Sequence, residues 1–237
     1  MATSYSINRD TIIQAALRKL QVIELGVTPD ADTLANAATA LNIMIKAWQS
    51  QGIKLWTVNE YTLPLVAGVN TYNIGPAGTH LVADKPLKVI QAWMRNTSVT
   101  PNIDTPLITI SKQEYNILGS KSSPGMVNSI FYDPRQTDGN LYTFLTPDAN
   151  VAANYQLHFV GQRPITDVLL GTDVPDFPSE WMQALVWGLA DELAIEYGCL
   201  VNVRQEIQVK AMKYRQELED WDVEPTSTFF TPDRRMK

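Results

Sequence analysis

Hydrophobic residues recur along this chain with two different periods, and the switches between them divide it into stretches. From Thr11 to Val22, residues Ile12, Ile13, Ala16, Leu17 and Leu20 share one stripe at helical spacing, and Gly26 closes the region. A second helix is expected after Thr28-Pro29, a hydroxyl cap followed by a proline suited to a first turn, with Asp30 and Asp32 near the positive end of the helix dipole. Leu34, Ala38, Leu41, Ile45 and Trp48 form its apolar stripe, and Gly52 stands where a C-terminal cap belongs. The short Glu24–Val27 link predicts that the two helices pack as an antiparallel hairpin.

From about Trp56 the period falls to two. Tyr61–Leu65 and Thr71–Ile74 flank an Ala-Gly-Val-Asn turn and read as a β-hairpin. Lys88 to Arg95 reads as a strand, and Ser111 with Glu114 gives a capping box for a short helix through Leu118. Ser129–Tyr132, Leu141–Leu145 and Tyr155–Val160 are further strands, with Asp138-Gly139 turning the first into the second. These elements predict a small antiparallel sheet or partly closed barrel.

Helical texture returns after Pro178. Trp181 through Ala190 is apolar almost all round, as a helix buried on most sides would be, and Gly198 ends the region. Asn202 and Gln205 suggest a cap for a last helix striped by Val203, Ile207, Ala211, Tyr214, Leu218 and Trp221. The expected fold class is therefore α+β: N- and C-terminal helices packed into a helical bundle (1–56 and 177–222), an inserted antiparallel β module (57–176), and an extended C-terminal tail (223–237). Pro225 and Pro232 keep that tail out of a helix, yet it carries Phe229 and Phe230 side by side, then Arg234, Arg235 and Lys237. Two adjacent exposed phenylalanines are a liability, so they are expected to dock. On residue types alone, the chain's own surface and a partner's stand level as the place.

Composition narrows the function. Of 237 residues, 45% are hydrophobic and 19% charged, which describes a folded chain, and the formal net charge of −6 argues against a sequence-reading nucleic-acid domain. An acidic surface does suit a protein that lets DNA slide past without sticking. One cysteine, Cys199, excludes an internal disulfide and fits a reducing compartment. There is no apolar run to serve as a signal peptide or to span a membrane.

Candidate chemistry is sparse. His158 alternates with Leu157 and Phe159, so it is expected on a solvated strand face and not as a general base. His80 lies in a glycine-containing loop, and a single thiol offers no zinc spacing. Asp191, Glu192 and Glu196 could be imagined in a glycosidase, but carboxylates at this spacing are more often an exposed stripe or half of a salt bridge. Trp48, Trp181, Trp187 and Trp221 occupy core-compatible helical positions. No catalytic, cofactor-binding or metal-binding residue is assigned, and no cofactor is expected.

The order of these parts resembles a known family. Ile12 to Leu20 (Ile-Ile-Gln-Ala-Ala-Leu-Arg-Lys-Leu), the capped helix ending Ala47-Trp48-Gln49-Ser50-Gln51-Gly52, the strand beginning Tyr61-Thr62-Leu63, and Phe177-Pro178-Ser179-Glu180-Trp181 opening a late helix together look like the head-to-tail adaptors of short-tailed bacteriophages. These are also called tail accessory factors, packaged-DNA stabilisation proteins or, in a related group, tail tubular proteins. The resemblance covers most of residues 5–222 in layout. It implies a non-enzymatic virion protein at the head–tail junction, made in the host cytoplasm. It implies a twelve-subunit ring beneath the dodecameric portal, which extends the channel, helps retain DNA without reading its sequence, and offers a platform to the next tail or nozzle protein or to fibres. The region matching the family's C-terminal extension is Val223 to Lys237, so Phe229 and Phe230 become expected portal anchors, with Arg234, Arg235 and Lys237 as charged contacts. Two alternatives remain: a virion-associated cell-wall hydrolase using Asp191, Glu192 or Glu196, and another tail-ring or nozzle component.

Overall fold

The computed structural model describes residues 5–52 and 55–222 of the chain. Its contacts divide into two compact units, Met1–Met44 with Asp167–Lys237, and Ile45–Thr166. Each is described by itself below.

In the first unit, α1 (Arg9–Lys19) begins at Asn8, whose side chain accepts from the Thr11 amide at 2.9 Å. Its stripe is buried as expected, with Ile12, Ile13, Ala16 and Leu17 fully enclosed. The helix stops earlier than Val22, because Gln21 adopts a left-handed φ of 60°. The first part of α2 (Ala31–Ser50) belongs to this unit. Asp30, not Thr28, caps it: the Thr33 amide donates to Oδ1 at 2.8 Å and the Thr33 hydroxyl to Oδ2 at 3.0 Å. α5 (Met182–Leu193) is buried on nearly every side, and α6 (Val201–Trp221) runs beside it. The backbone of α1 comes close to that of α5. The almost wholly apolar α5 has the largest face to bury, so it draws both α1 and α6. No side chain caps α6; its N-cap is Leu200, and Asn202 lies inside the helix.

The second unit overturns the expected fold class. Its body is a nearly closed eight-stranded sheet, not a small antiparallel module inserted in a helical bundle. The strands are β1 (Val58–Pro64), β2 (Thr71–Gly75), β3 (Leu81–Val82), β4 (Lys88–Asn96), β5 (Ile103–Thr109), β7 (Ser129–Pro134), β8 (Gly139–Phe144) and β10 (Tyr155–Gln162). Their order is β1-β10-β4-β5-β7-β8-β2-β3, while β6 (Pro124–Gly125) pairs with β9 (Thr146–Pro147) separately. The sheet is mixed: β2–β3 and β5–β7 are parallel. The second of these parallel pairs needs a crossover, which α3 (Lys112–Ile117) supplies with the Ser111–Glu114 capping box intact. A sixth helix, α4 (Ala149–Asn154), capped by Asp148, leads into β10. Six α-helices are thus present among the described residues.

β1 and β2 do not form the expected hairpin; β1 pairs with β10 and β2 with β8. Alternation fixes which side chains share a face, but not which strand lies alongside. Every strand that turns residues inward sends them to one core. Tyr61 and Leu63, Tyr72 and Ile74, Ala92 and Met94, Ile130 and Tyr132, Leu141, and Leu157 and Phe159 all meet there. A single core shared by strands from one edge to near the other requires the sheet to curl. Tyr61 stacks on its register partner Phe159 at 5.0 Å, and the Tyr132 hydroxyl donates to the Pro86 carbonyl at 2.6 Å. Burial raises the Tyr132 phenol well above its ordinary value.

Candidate interaction surfaces

Three surfaces carry the side chains singled out from the sequence. The first is a groove of about 460 Å³ in the helical unit, lined by Asn36, Thr39, Ala40 and Ile43 of α2 with Glu192 and Glu196. The α2 residues recur at i, i+3, i+4 and i+7, about a third of a turn around the helix from the buried Ala37, Leu41 and Met44. Asp191 does not join them. It is half-buried, and loss of solvation raises its carboxyl, opposed by the charge of Arg204. The three carboxylates weighed as a catalytic set are therefore split between two environments.

The second surface is α6. Ile207 and Ala211 are buried, whereas Val209 and Met212 lie on the opposite side, 66% and 62% exposed. A groove beside them is lined by Met212, Lys213, Arg215, Gln216 and Glu219. Trp221, expected in the stripe, is instead 68% exposed at the helix end. Lys210 and Lys19 each lie over the Trp187 ring at just under 5 Å. Glu206 accepts from Lys210, which holds its carboxyl below the usual range.

The third surface is the outer face of the sheet. His158 does point away from the core, as alternation requires, but it is not solvated: only 5% is exposed. Trp93, its register partner on β4, stacks over it at 5.7 Å. Nδ1 lies 2.9 Å from Glu60 Oε1 and 3.2 Å from Thr62 Oγ1. Nε2 is enclosed without a hydrogen-bond partner. Next to this stack, Arg95 donates twice to Asp104, at 2.8 and 2.7 Å, and holds that carboxyl below its usual range. The Trp93–His158 cover could be anticipated only from the pairing of β4 with β10, which the sequence does not display.

His80 accepts from the Asn73 amide at 3.1 Å, a structural role. The half-buried Cys199 thiol donates to the Leu20 carbonyl at 3.5 Å, bridging two chain turns. No group of three or more metal-ligating side chains occurs among the described residues. No helix among them is long and apolar enough to cross a membrane. Phe229, Phe230, Arg234, Arg235 and Lys237 lie outside the described residues.

Among the described residues, α2 and α6 each present an exposed face, and the polar side chains on the outer face of the sheet bond to one another. The class of protein comes from comparison with known families. The profile of the SU10 adaptor proteins matches residues 7–228, and the chain belongs to this family of phage adaptor proteins. No curated protein matches it.

Proposed function

We propose that this adaptor assembles as a ring of twelve copies beneath a phage portal, extends the DNA channel and joins the capsid to the tail. The observation that carries the proposal is the family match, which spans nearly the whole chain. The net charge of −6 supports a channel that does not hold DNA by its phosphates. In this reading residues 223–237 grip the portal: Phe229 and Phe230 fill apolar sites and Arg234, Arg235 and Lys237 contact acidic groups. Repetition around a ring lets each such contact be weak alone and strong together.

Co-sedimentation with purified portal rings tests this. The full chain pellets with portal, and a chain ending at Asp222 stays in the supernatant with an unchanged melting temperature. Failure of the full chain to co-sediment sinks the portal reading. A truncation that binds normally removes the tail from it, and one that melts lower shows that the tail packs on its own subunit.

A further inference from the structure

A closed ring built from identical copies needs two unlike faces on each subunit, so that one face of a copy meets the other face of the next. Two faces of the helical unit are matched in this way. On α6, exposed Val209 and Met212 stand one turn apart with Lys213 beside them. In the α2–α5 groove, Ile43 is 65% exposed and shares the lining with Glu192 and Glu196. Each face has an apolar centre with charge at its side, and the charges are opposite. Arg215 and Glu219, also on α6, pair with each other at 3.1 Å, and Asp220 accepts from Gln216 at 2.8 Å, so among the described residues lining this groove Lys213 is the cation without a hydrogen-bonded carboxylate. Among the described residues Lys213 is held by an exposed contact to Glu217 at 3.8 Å, which costs little to exchange for a partner's carboxylate. Among the described residues lining the groove none is positive, and α2 carries no charge between Asp32 and Lys46. Isolated apolar residues on a surface are ordinary, but two apolar centres with complementary charge are what a specific contact requires.

We propose that these faces meet in a second copy of this chain: Val209 and Met212 of one subunit seat against Ile43 of the next, and Lys213 faces Glu192 and Glu196. The proposal rests on the ring reading above and locates the lateral contact within it.

The test uses full-length protein carrying Cys199→Ser, both free and bound to portal rings. One batch carries Ile43→Cys and another Met212→Cys. Mild oxidation of the mixture is expected to give the 43–212 disulfide dimer, with neither 43–43 nor 212–212 dimers. The double variant is expected to give a ladder of covalent multimers. Independently, Lys213→Glu and Glu196→Lys are each expected to abolish rings in native mass spectrometry, and the two together to restore them, with helix content unchanged throughout. Like-with-like dimers overturn the proposal in favour of a two-fold contact. Rings that form without the 43–212 crosslink, and ignore the charge reversals, overturn this interface while leaving the ring reading standing. A chain that forms no ring, free or on portal, overturns both.

Discussion

Replacing Gly139 with alanine probes the closure of the sheet at a single atom. A Cβ at Gly139 would stand 2.0 Å from the Tyr132 hydroxyl and 2.4 Å from the ring carbon that bears it. Nothing flexible can yield there, because the ring is buried and its hydroxyl is held by the Pro86 carbonyl. Two costs follow. Displacing the ring breaks that bond and strands a buried carbonyl, about 1–3 kcal/mol, and overpacking adds about 1–3 kcal/mol. The smaller conformational freedom of unfolded alanine returns about 0.5 kcal/mol. The expected net loss is about 1.5–5.5 kcal/mol. Urea unfolding followed by far-ultraviolet circular dichroism measures it, with hydrogen exchange of β7 and β8 confirming that the sheet is the part affected. The same substitution in a Tyr132→Leu background should cost little, since the ring it collides with is gone. A loss below about 0.5 kcal/mol, or full additivity of the two substitutions, would refute the reasoning.

Three further expectations concern single groups. His158→Phe keeps a ring stacked on Trp93 and removes a buried nitrogen without a partner, so the melting temperature should hold or rise; a clear fall would show that the Glu60 and Thr62 contacts dominate. Asp104→Asn should flatten the acid limb of stability. The folded carboxyl sits below its ordinary value, so its contribution is present above about pH 4 and is lost as pH falls through the folded pKa; melting curves that stay parallel between pH 2 and 6 would contradict this. Asp30→Ala should speed amide exchange in the first turn of α2 while Asp30→Asn protects it, and equal exchange in both would remove Asp30 as the cap.

What could be read from the sequence was local. The stripe Ile12–Ile13–Ala16–Leu17 and the all-round apolar α5 declared themselves because helical hydrogen bonds and burial depend on neighbours within a few residues. The Ser111–Glu114 box was legible for the same reason. The cap of α2 was misplaced by two residues, since Pro29 drew attention to Thr28 while the carboxylate one residue beyond the proline does the bonding. What failed was pairing across distance. β5 was missed because its exposed, proline-containing sequence gives no inward alternation, yet it joins the two halves of the sheet. His158 was given its direction correctly and its cover wrongly, since the cover comes from another strand. The outward side of α6 had a signal that went unused: Val209 and Met212 sit three apart on the side away from Ile207.

The pairing of β1 with β10 also has a consequence in time. The ribosome delivers β1 early, and its neighbour in the sheet, β10, emerges about 100 residues later, some 5–20 s at ordinary rates of synthesis. Throughout that interval neither edge of β1 is paired, and Tyr61 and Leu63 lack Phe159 and Leu157. α1 waits longer still for α5. Folding is therefore an event of late synthesis, and a chain cut short before Tyr155 contains most of the strands but not the one that joins β1 to β4.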